Sequence, residues 1–127
     1  MKKFGTHYIV DGWLAPAELL DDAERIRAAL LETVAAAGAT LIELCVHRFS
    51  PIGVTATATL AESHIALHTW PEEGYFAADL FFCGSGDPKQ ALLHLTTVMG
   101  AREFAIREVE RGRGPVPRLQ EEAHGQS

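Results

Sequence analysis

Residues 62–72 carry the side chains that are best suited to chemistry. Ser63 stands directly before a histidine, His68 follows five residues later, and Cys83 lies eleven residues beyond the end of the segment. A serine hydroxyl acts as a nucleophile when a nearby base takes its proton, and histidine and cysteine can exchange protons near neutral pH. Such a set suits two successive reactions, cleavage of the chain's own backbone and then proton transfer on a substrate.

Each of these residues also has an ordinary structural interpretation. His64 and His68 are four residues apart, but the segment is typical of a strand, where four residues span about 13 Å, so we expect no shared metal ion. A serine before a strand commonly forms a turn, Glu72 is by default a solvated carboxylate, and a cysteine at a strand end is by default a small buried apolar group. The Gly-x-Ser-x-Gly motif of a nucleophile elbow is absent.

The composition indicates one globular domain. The chain has 127 residues, of which 47% are apolar and 22% charged, and its net charge of −6 argues against a nucleic-acid-binding surface. No apolar run approaches the roughly 18 residues of a membrane span, and the first residues lack the apolar stretch of a signal peptide. The two cysteines, Cys45 and Cys83, have no metal-binding spacing and suit a reducing compartment. We therefore expect a cytoplasmic protein.

The apolar pattern predicts an α+β fold. Strands are predicted over residues 4–10, 40–49, 54–60, 65–69, 75–83 and 101–109, with a turn at Asp11-Gly12 and helices that begin near Pro16 and at Asp87-Pro88. Short connections in the middle of the chain favour a mainly antiparallel sheet with two helices on one face, a two-layer sandwich. We expect the other face to be buried in a homodimer. Residues 115–127 are predicted to be a mobile tail.

Several blocks of the sequence together form a recognisable pattern. They are His47-Arg48-Phe49-x-Pro51-x-Gly53-Val54, Glu62-Ser63-His64-x-x-x-His68-Thr69-Trp70-Pro71-Glu72-x-Gly74-Tyr75, Asp79-Leu80-Phe81-x-Cys83-Gly84, Asp87-Pro88, Gly5-x-His7 and Glu110-Arg111-Gly112-Arg113. This pattern resembles the bacterial and archaeal S-adenosylmethionine decarboxylases, small proenzymes that make a pyruvoyl cofactor from an internal serine. The resemblance implies a single decarboxylase domain over residues 1–114.

The resemblance implies that the chain cuts itself between Glu62 and Ser63. The Ser63 hydroxyl is expected to attack the Glu62 carbonyl and form an ester, after which β-elimination and loss of ammonia leave a pyruvoyl group. The products are a β chain of residues 1–62 and an α chain of residues 63–127.

Two further residues are implied in this processing. By resemblance, His68 is the base near the Ser63 α-proton. Thr55 stands where most members of the family have a serine that supplies a hydroxyl to the ester intermediate. Because a β-branched side chain has restricted rotamers, we expect the threonine to slow the processing.

The same resemblance implies the chemistry of the mature enzyme. The pyruvoyl ketone condenses with the amino group of S-adenosylmethionine to give a Schiff base, which accepts the electrons left by departing carbon dioxide. Cys83 is implied as the proton donor to the substrate α-carbon, Phe49 as the ring that stacks on adenine, Glu72 as the ligand of the ribose hydroxyls, and Ile65 as an apolar wall. The active sites of the family lie at a homodimer interface, and the product serves the synthesis of spermidine.

The sequence departs from the family pattern in ways that leave alternatives open. Lys89 lies in a shortened loop where tryptophan is common, and Glu73 adds a carboxylate beside Glu72. Because a carboxylate can pair with a guanidinium or ammonium group, an arginine or ornithine decarboxylase is one alternative. Retention of Phe49 and Glu72 favours S-adenosylmethionine. An unprocessed, non-catalytic homologue is a second alternative, against which the intact set of serine, histidine and cysteine argues.

Overall fold

The computed structural model describes residues 3–115, which form a six-stranded sheet with helices on one face. The strands are β1 (Gly5–Trp13), β2 (Leu41–Arg48), β3 (Val54–Leu60), β4 (Ser63–Trp70), β5 (Tyr75–Phe82) and β6 (Glu103–Arg111). The helices are α1 (Ala17–Leu20), α2 (Ala23–Ala36) and α3 (Pro88–Val98), and a 3₁₀ turn covers Pro71–Glu73. The strand order is β2-β3-β4-β5-β1-β6, and every neighbouring pair is antiparallel. This arrangement confirms the predicted α+β class.

The two longer helices begin at aspartates that cap them. The side chain of Asp22 accepts hydrogen bonds from the backbone N–H groups of Glu24 and Arg25, and Asp87 does the same for the first turn of α3. Pro88 follows its cap directly, at a position whose N–H has no intrahelical partner to lose. The apolar stripes of both helices are buried against the sheet and consist of Ile26, Ala29, Leu30 and Val34 on α2 and Ala91 and Leu95 on α3.

Side chains alternate between the two sides of the central strands, as the pleat of a sheet requires. In β4, Ile65, Leu67 and Thr69 are buried under the helices, while His64, His68 and Trp70 are exposed on the other side. We call this uncovered side the open face; it also carries His7, Ile9, Asp11, Tyr75, Ala77, Asp79 and Phe81. No described element of the chain covers it, so its burial in a dimer stays a prediction.

Several sequence-based boundaries were wrong, and one feature was misassigned. The predicted turn at Asp11-Gly12 lies inside β1, where both residues pair with β5 and β6. Gly12 is required there because a Cβ at this position would come within 2.4 Å of the Phe76 ring.

The first helix is divided into α1 and α2, β4 begins at residue 63 instead of 65, and β6 covers 103–111 instead of 101–109. The part of the predicted mobile tail that follows residue 115 lies outside the described residues.

Candidate active site

The hairpin between β3 and β4 carries the predicted cleavage site. Leu60 pairs with Ser63, so Ala61 and Glu62 alone form the loop. Glu62 adopts a φ of 68°, a left-handed conformation that is uncommon for a residue with a side chain. Ser63 begins β4 and is 7% exposed, and its Oγ accepts a hydrogen bond of 3.2 Å from the backbone N–H of Cys83.

Cys83 touches both sides of the bond between Glu62 and Ser63. Its backbone N–H binds the serine hydroxyl, and its thiol donates a hydrogen bond to the Glu62 carbonyl oxygen. The thiol therefore lies where negative charge would develop on the carbonyl in the predicted attack by the hydroxyl. Cys83 is exposed and lines a cavity of about 230 Å³ with Gly5, so its default interpretation as a buried apolar group is wrong. We call Glu62, Ser63 and Cys83 the serine cluster.

A second group of predicted residues meets at the opposite end of the hairpin. Thr55 on β3 pairs with His68 on β4, and the Thr55 Oγ1 lies 3.1 Å from the His68 Nδ1. These two residues line a cavity of about 260 Å³ together with Phe49 and Glu72. The structure thus brings together four side chains that the sequence assigned to processing and substrate binding. We call Phe49, Thr55, His68 and Glu72 the histidine cluster.

The loop that carries Phe49 is anchored by Asp21, at the junction of α1 and α2. One carboxylate oxygen of Asp21 accepts a hydrogen bond of 2.8 Å from the backbone N–H of Gly53, and the other lies 2.7 Å from Arg48 Nη2. Two hydrogen bonds lower the pKa of the Asp21 carboxyl from its ordinary value, with the larger effect from the Arg48 guanidinium and the smaller from the Gly53 backbone N–H. Phe49 is held in this loop with 47% of its surface exposed, and its ring meets the edge of His47.

The two clusters do not meet within one chain. Ser63 and His68 are five residues apart on β4, so their Cα atoms are about 17 Å from each other at about 3.3 Å per residue. An odd separation also places their side chains on opposite faces of the sheet, the serine under the helices and the histidine on the open face. His68 therefore cannot take the α-proton of its own chain's Ser63 in this structure.

Two predicted substrate contacts differ from the structure. Ile65 has no exposed surface, because it lies on the helix-facing side of β4 between Ala58 and Leu80. It is part of the core and has no surface for a substrate. Glu73 lines a different cavity from Glu72, since successive side chains of the 3₁₀ turn point about 120° apart.

Two polar groups on the open face were not singled out as sites from the sequence. The Tyr75 hydroxyl donates a hydrogen bond to Asp11, which with burial of the ring raises the pKa of Tyr75 to about 12. Elsewhere on this face, His7 Nε2 lies 2.9 Å from Asp79 Oδ1, and Arg111 Nη1 lies 3.2 Å from His7 Nδ1. His7, Tyr75, Asp79 and Arg111 stand in the quoted sequence blocks, which is their one signal in the sequence, whereas Asp11 stands in none of them.

Neither a metal site nor a membrane span is found in the part of the chain that the structure describes. Within residues 3–115, no three His, Cys, Asp or Glu side chains come close enough together to hold a metal ion. None of the helices in that range is both long and apolar enough to cross a membrane.

Comparison with known proteins identifies the family. The sequence profile described as S-adenosylmethionine decarboxylase matches residues 6–112. The chain belongs to the S-adenosylmethionine decarboxylase family. Among curated members, the S-adenosylmethionine decarboxylase proenzyme of Methanococcus maripaludis is 41% identical over 113 residues, which are 88% of this chain and 93% of the relative. The proenzyme of Thermotoga maritima is 39% identical over 114 residues, 89% of this chain and 88% of the relative.

A solved member of the family has the same fold. The crystal structure of the adenosylmethionine decarboxylase from Aquifex aeolicus superimposes with a TM-score of 0.83 at 31% sequence identity, and the match covers 91% of this chain and 96% of that one. Membership in this decarboxylase family confirms both the resemblance inferred from the sequence blocks and the predicted fold class.

Proposed function

We propose that this chain is a self-processing decarboxylase that removes carbon dioxide from S-adenosylmethionine, with a pyruvoyl group made from Ser63 as its cofactor. The observation that carries the proposal is the position of Cys83, which binds the hydroxyl on one side of the Glu62–Ser63 bond and the carbonyl on the other. The family is one whose curated relatives are named proenzymes. The decarboxylated product would then serve as a precursor of polyamines such as spermidine.

Self-cleavage needs a nucleophile, a group that stabilises the oxyanion, and a base. Ser63 supplies the nucleophile, and the Cys83 thiol stabilises the carbonyl oxygen of Glu62 during the attack. The later elimination needs a base at the Ser63 α-proton, and His68, whose Nδ1 is held by Thr55, is suited to that step. Because His68 is about 17 Å away from Ser63 in its own chain, the base has to come from a second copy.

A two-fold dimer through the open face meets this requirement. The serine cluster lies at one end of β4 and the histidine cluster near the other. When two identical faces pack about a two-fold axis, the contact of one residue with another is repeated in reverse. Each serine cluster would then meet the histidine cluster of the partner, and the dimer would hold two complete sites. The cavity of about 260 Å³ is also smaller than the about 300–1,000 Å³ of pockets that enclose a ligand of this size, as expected for half a site.

In the mature enzyme, the pyruvoyl group would supply a carbonyl that binds the substrate amino group and takes up the electrons left by carbon dioxide. The exposed Cys83 thiol is placed at the same position and can deliver a proton to the substrate α-carbon. Phe49 offers a half-exposed ring to the adenine, and the Glu72 carboxylate can accept hydrogen bonds from the ribose hydroxyls. The fit of this residue set to the cofactor rests on the hydrogen bond that already holds the Ser63 hydroxyl.

The structure offers little support for a cationic amino acid as substrate. That alternative rests on Glu73, which lines a separate depression with Asp11, Trp13 and Tyr75 and not the cavity of the histidine cluster. A non-catalytic homologue is disfavoured because Cys83 already contacts the Ser63 hydroxyl through its backbone N–H and the Glu62 carbonyl through its thiol. We therefore place S-adenosylmethionine first among the candidate substrates.

The decisive experiment combines intact mass with carbon dioxide release. Purified protein is expected to separate into residues 1–62 and a pyruvoyl-capped piece of residues 63–127, and to release carbon dioxide from carboxyl-labelled S-adenosylmethionine. Ser63→Ala is the matched control and should stay uncut and inactive. A cut protein that releases carbon dioxide from arginine or ornithine instead would support the first alternative. An uncut wild-type chain that binds S-adenosylmethionine would support the second.

A further inference from the structure

We propose that backbone strain at Glu62 accelerates cleavage of the Glu62–Ser63 bond and that Gly84 helps to hold the strained turn in place. This inference rests on the proposed self-processing, and it adds a physical cause for the choice of this bond. The backbone of Glu62 and the residue Gly84 have no part in the proton transfers described above.

The hairpin between β3 and β4 has a turn of an unfavourable kind. Two-residue hairpin loops prefer the primed turns, which need a positive φ at the first loop residue, because their twist matches that of the strands. Here φ is not positive at Ala61, and it is 68° at Glu62. A loop with positive φ only at its second residue normally has glycine or asparagine there. This chain instead has glutamate, on the residue whose carbonyl is to be attacked.

The surrounding structure holds the turn in this conformation. The pairs Leu60–Ser63 and Thr59–His64 fix both strands, and the backbone N–H of Ala61 donates a hydrogen bond of 2.9 Å to the Thr40 carbonyl oxygen. The Glu62 side chain lies directly against Gly84, where a Cβ would come within 2.7 Å of the Glu62 Oε1 and 3.1 Å of its Cβ. A methyl group at position 84 would therefore push the Glu62 side chain aside, next to the carbonyl that contacts the Cys83 thiol.

The first chemical step relieves this constraint. The bond from Ser63 Oγ to the Glu62 carbonyl carbon forms, the bond from that carbon to the Ser63 nitrogen breaks, and the hydroxyl proton passes to the nitrogen. The chain then runs from the Glu62 carbonyl carbon through Oγ and Cβ to the Ser63 Cα, one atom longer than through the nitrogen. A longer and more freely rotating link lets Glu62 leave the left-handed region. Strain present in the peptide and lost in the ester lowers the barrier to reaction.

The test removes the strain without removing any reacting group. In Glu62→Gly the left-handed backbone conformation carries no steric penalty, because glycine has no side chain. In the double variant Ala61→Asn with Glu62→Gly, the loop has the Asn-Gly sequence that two-residue hairpins prefer. We expect self-cleavage, followed by denaturing electrophoresis, to slow by about tenfold, equivalent to about 1.4 kcal/mol of activation free energy. Glu62→Ala keeps the cost of the left-handed backbone and should cleave faster than Glu62→Gly. Equal rates for Glu62→Ala and Glu62→Gly would overturn the proposal.

The chain offers a matched control for the effect of a glycine. Among residues 3–115, Leu14 is the other non-glycine residue with a positive φ, at 60°, and it lies in the loop after β1, beside Gly74 and at the far end of β5 from the serine cluster. Leu14→Gly should relieve similar strain with no change in the cleavage rate. Gly84→Ala should slow cleavage, because the added methyl group displaces Glu62 from Cys83.

A stability measurement gives a second, independent readout. In the uncleavable Ser63→Ala background, adding Glu62→Gly should raise the melting temperature, since the folded state no longer carries the strain. A lower melting temperature for that double variant would overturn the proposal. The outcomes also separate the two proposals: a wild-type chain that never cleaves contradicts the proposed function. A wild-type chain that cleaves at the same rate as Glu62→Gly contradicts only the role of strain.

Discussion

The hydroxyl of Thr55 lies 3.1 Å from Nδ1 of His68, across the β3–β4 pair. Because the two residues are direct cross-strand partners on the open face, their contact is fixed by the register of the hairpin and not by a flexible loop. When the Thr55 hydroxyl accepts a hydrogen bond from Nδ1–H, the lone pair of the neutral ring is on the other nitrogen, Nε2. The contact thereby orients the ring and, in that tautomer, leaves Nε2 as the nitrogen available to take a proton.

Thr55→Ser is expected to speed self-cleavage. Serine keeps the hydroxyl while removing the methyl group that restricts its rotamers, so the rate should rise by about two- to tenfold. Thr55→Val, which has the same shape without the hydroxyl, should slow cleavage by about tenfold or more. Time courses on denaturing gels measure both rates. Identical rates for the serine and valine variants would show that the hydroxyl has no part in processing.

A complementation experiment tests whether each site is shared between two chains. Ser63→Ala cannot form the cofactor, and His68→Ala is expected to lack the base, so each variant alone should stay uncut. When the two are expressed together with different tags, the mixed dimer contains one site with an intact Ser63 and an intact His68. We expect the His68→Ala chain to be cut in that mixture. If it stays uncut although mixed dimers are isolated, the shared site is contradicted.

The neighbouring carboxylates Glu72 and Glu73 are expected to behave differently. Glu72→Gln should lower kcat/KM for S-adenosylmethionine by about tenfold or more, the loss expected for hydrogen bonds to a charged acceptor. Glu73→Gln is its matched control, because Glu73 lines a separate cavity, and it should leave kcat/KM for S-adenosylmethionine unchanged. Carbon dioxide release measures both. A selective loss of activity on arginine or ornithine in Glu73→Gln would revive the amino-acid alternative.

Asp21 is expected to act on substrate binding through the loop that carries Phe49. Asp21→Asn removes the charge that pairs with Arg48, and the KM for S-adenosylmethionine should rise by about two- to fivefold while self-cleavage is unaffected. Because the pKa of Asp21 is lowered from 3.8 by Arg48 and Gly53, the anchoring is complete above that pH and is lost as the pH falls below it. An unchanged KM in Asp21→Asn would show that the loop holds its shape without this ion pair.

Tyr75 provides a prediction at high pH. Its pKa is raised from 10.0 to about 12, first by its hydrogen bond to Asp11 and then by burial. The stabilising contribution of this bond is therefore full below pH 10 and is lost as the pH rises towards 12. The chain has two tyrosines, Tyr8 and Tyr75. The tyrosinate absorbance of Tyr75→Phe comes from Tyr8 alone, and its difference from the wild-type absorbance gives the titration of Tyr75. Asp11→Asn should lower the Tyr75 pKa, and an unchanged titration would contradict the assignment.

The fold class and most strands could be predicted because their signals are local. Alternation in 54–60 and the capping aspartate before Pro88 depend on near neighbours, and both elements form where expected. Asp11-Gly12 was misassigned because a glycine that makes room for a distant ring is indistinguishable in sequence from a glycine in a turn. Its reason, the Phe76 ring 64 residues away in the chain, exists only after the sheet has formed.

The residue types available for chemistry could be read from the amino-acid order alone, since Ser63, His68 and Cys83 stand in blocks whose order and spacing identify the family. Which of these residues lie close enough to react together depends on the folded sheet. The contact of Cys83 with both sides of the Glu62–Ser63 bond follows from the register of β5 beside β4, where Ser63 pairs with Phe82. The separation of Ser63 from His68 follows from the pleat of the strand, which turns side chains an odd number of residues apart to opposite faces.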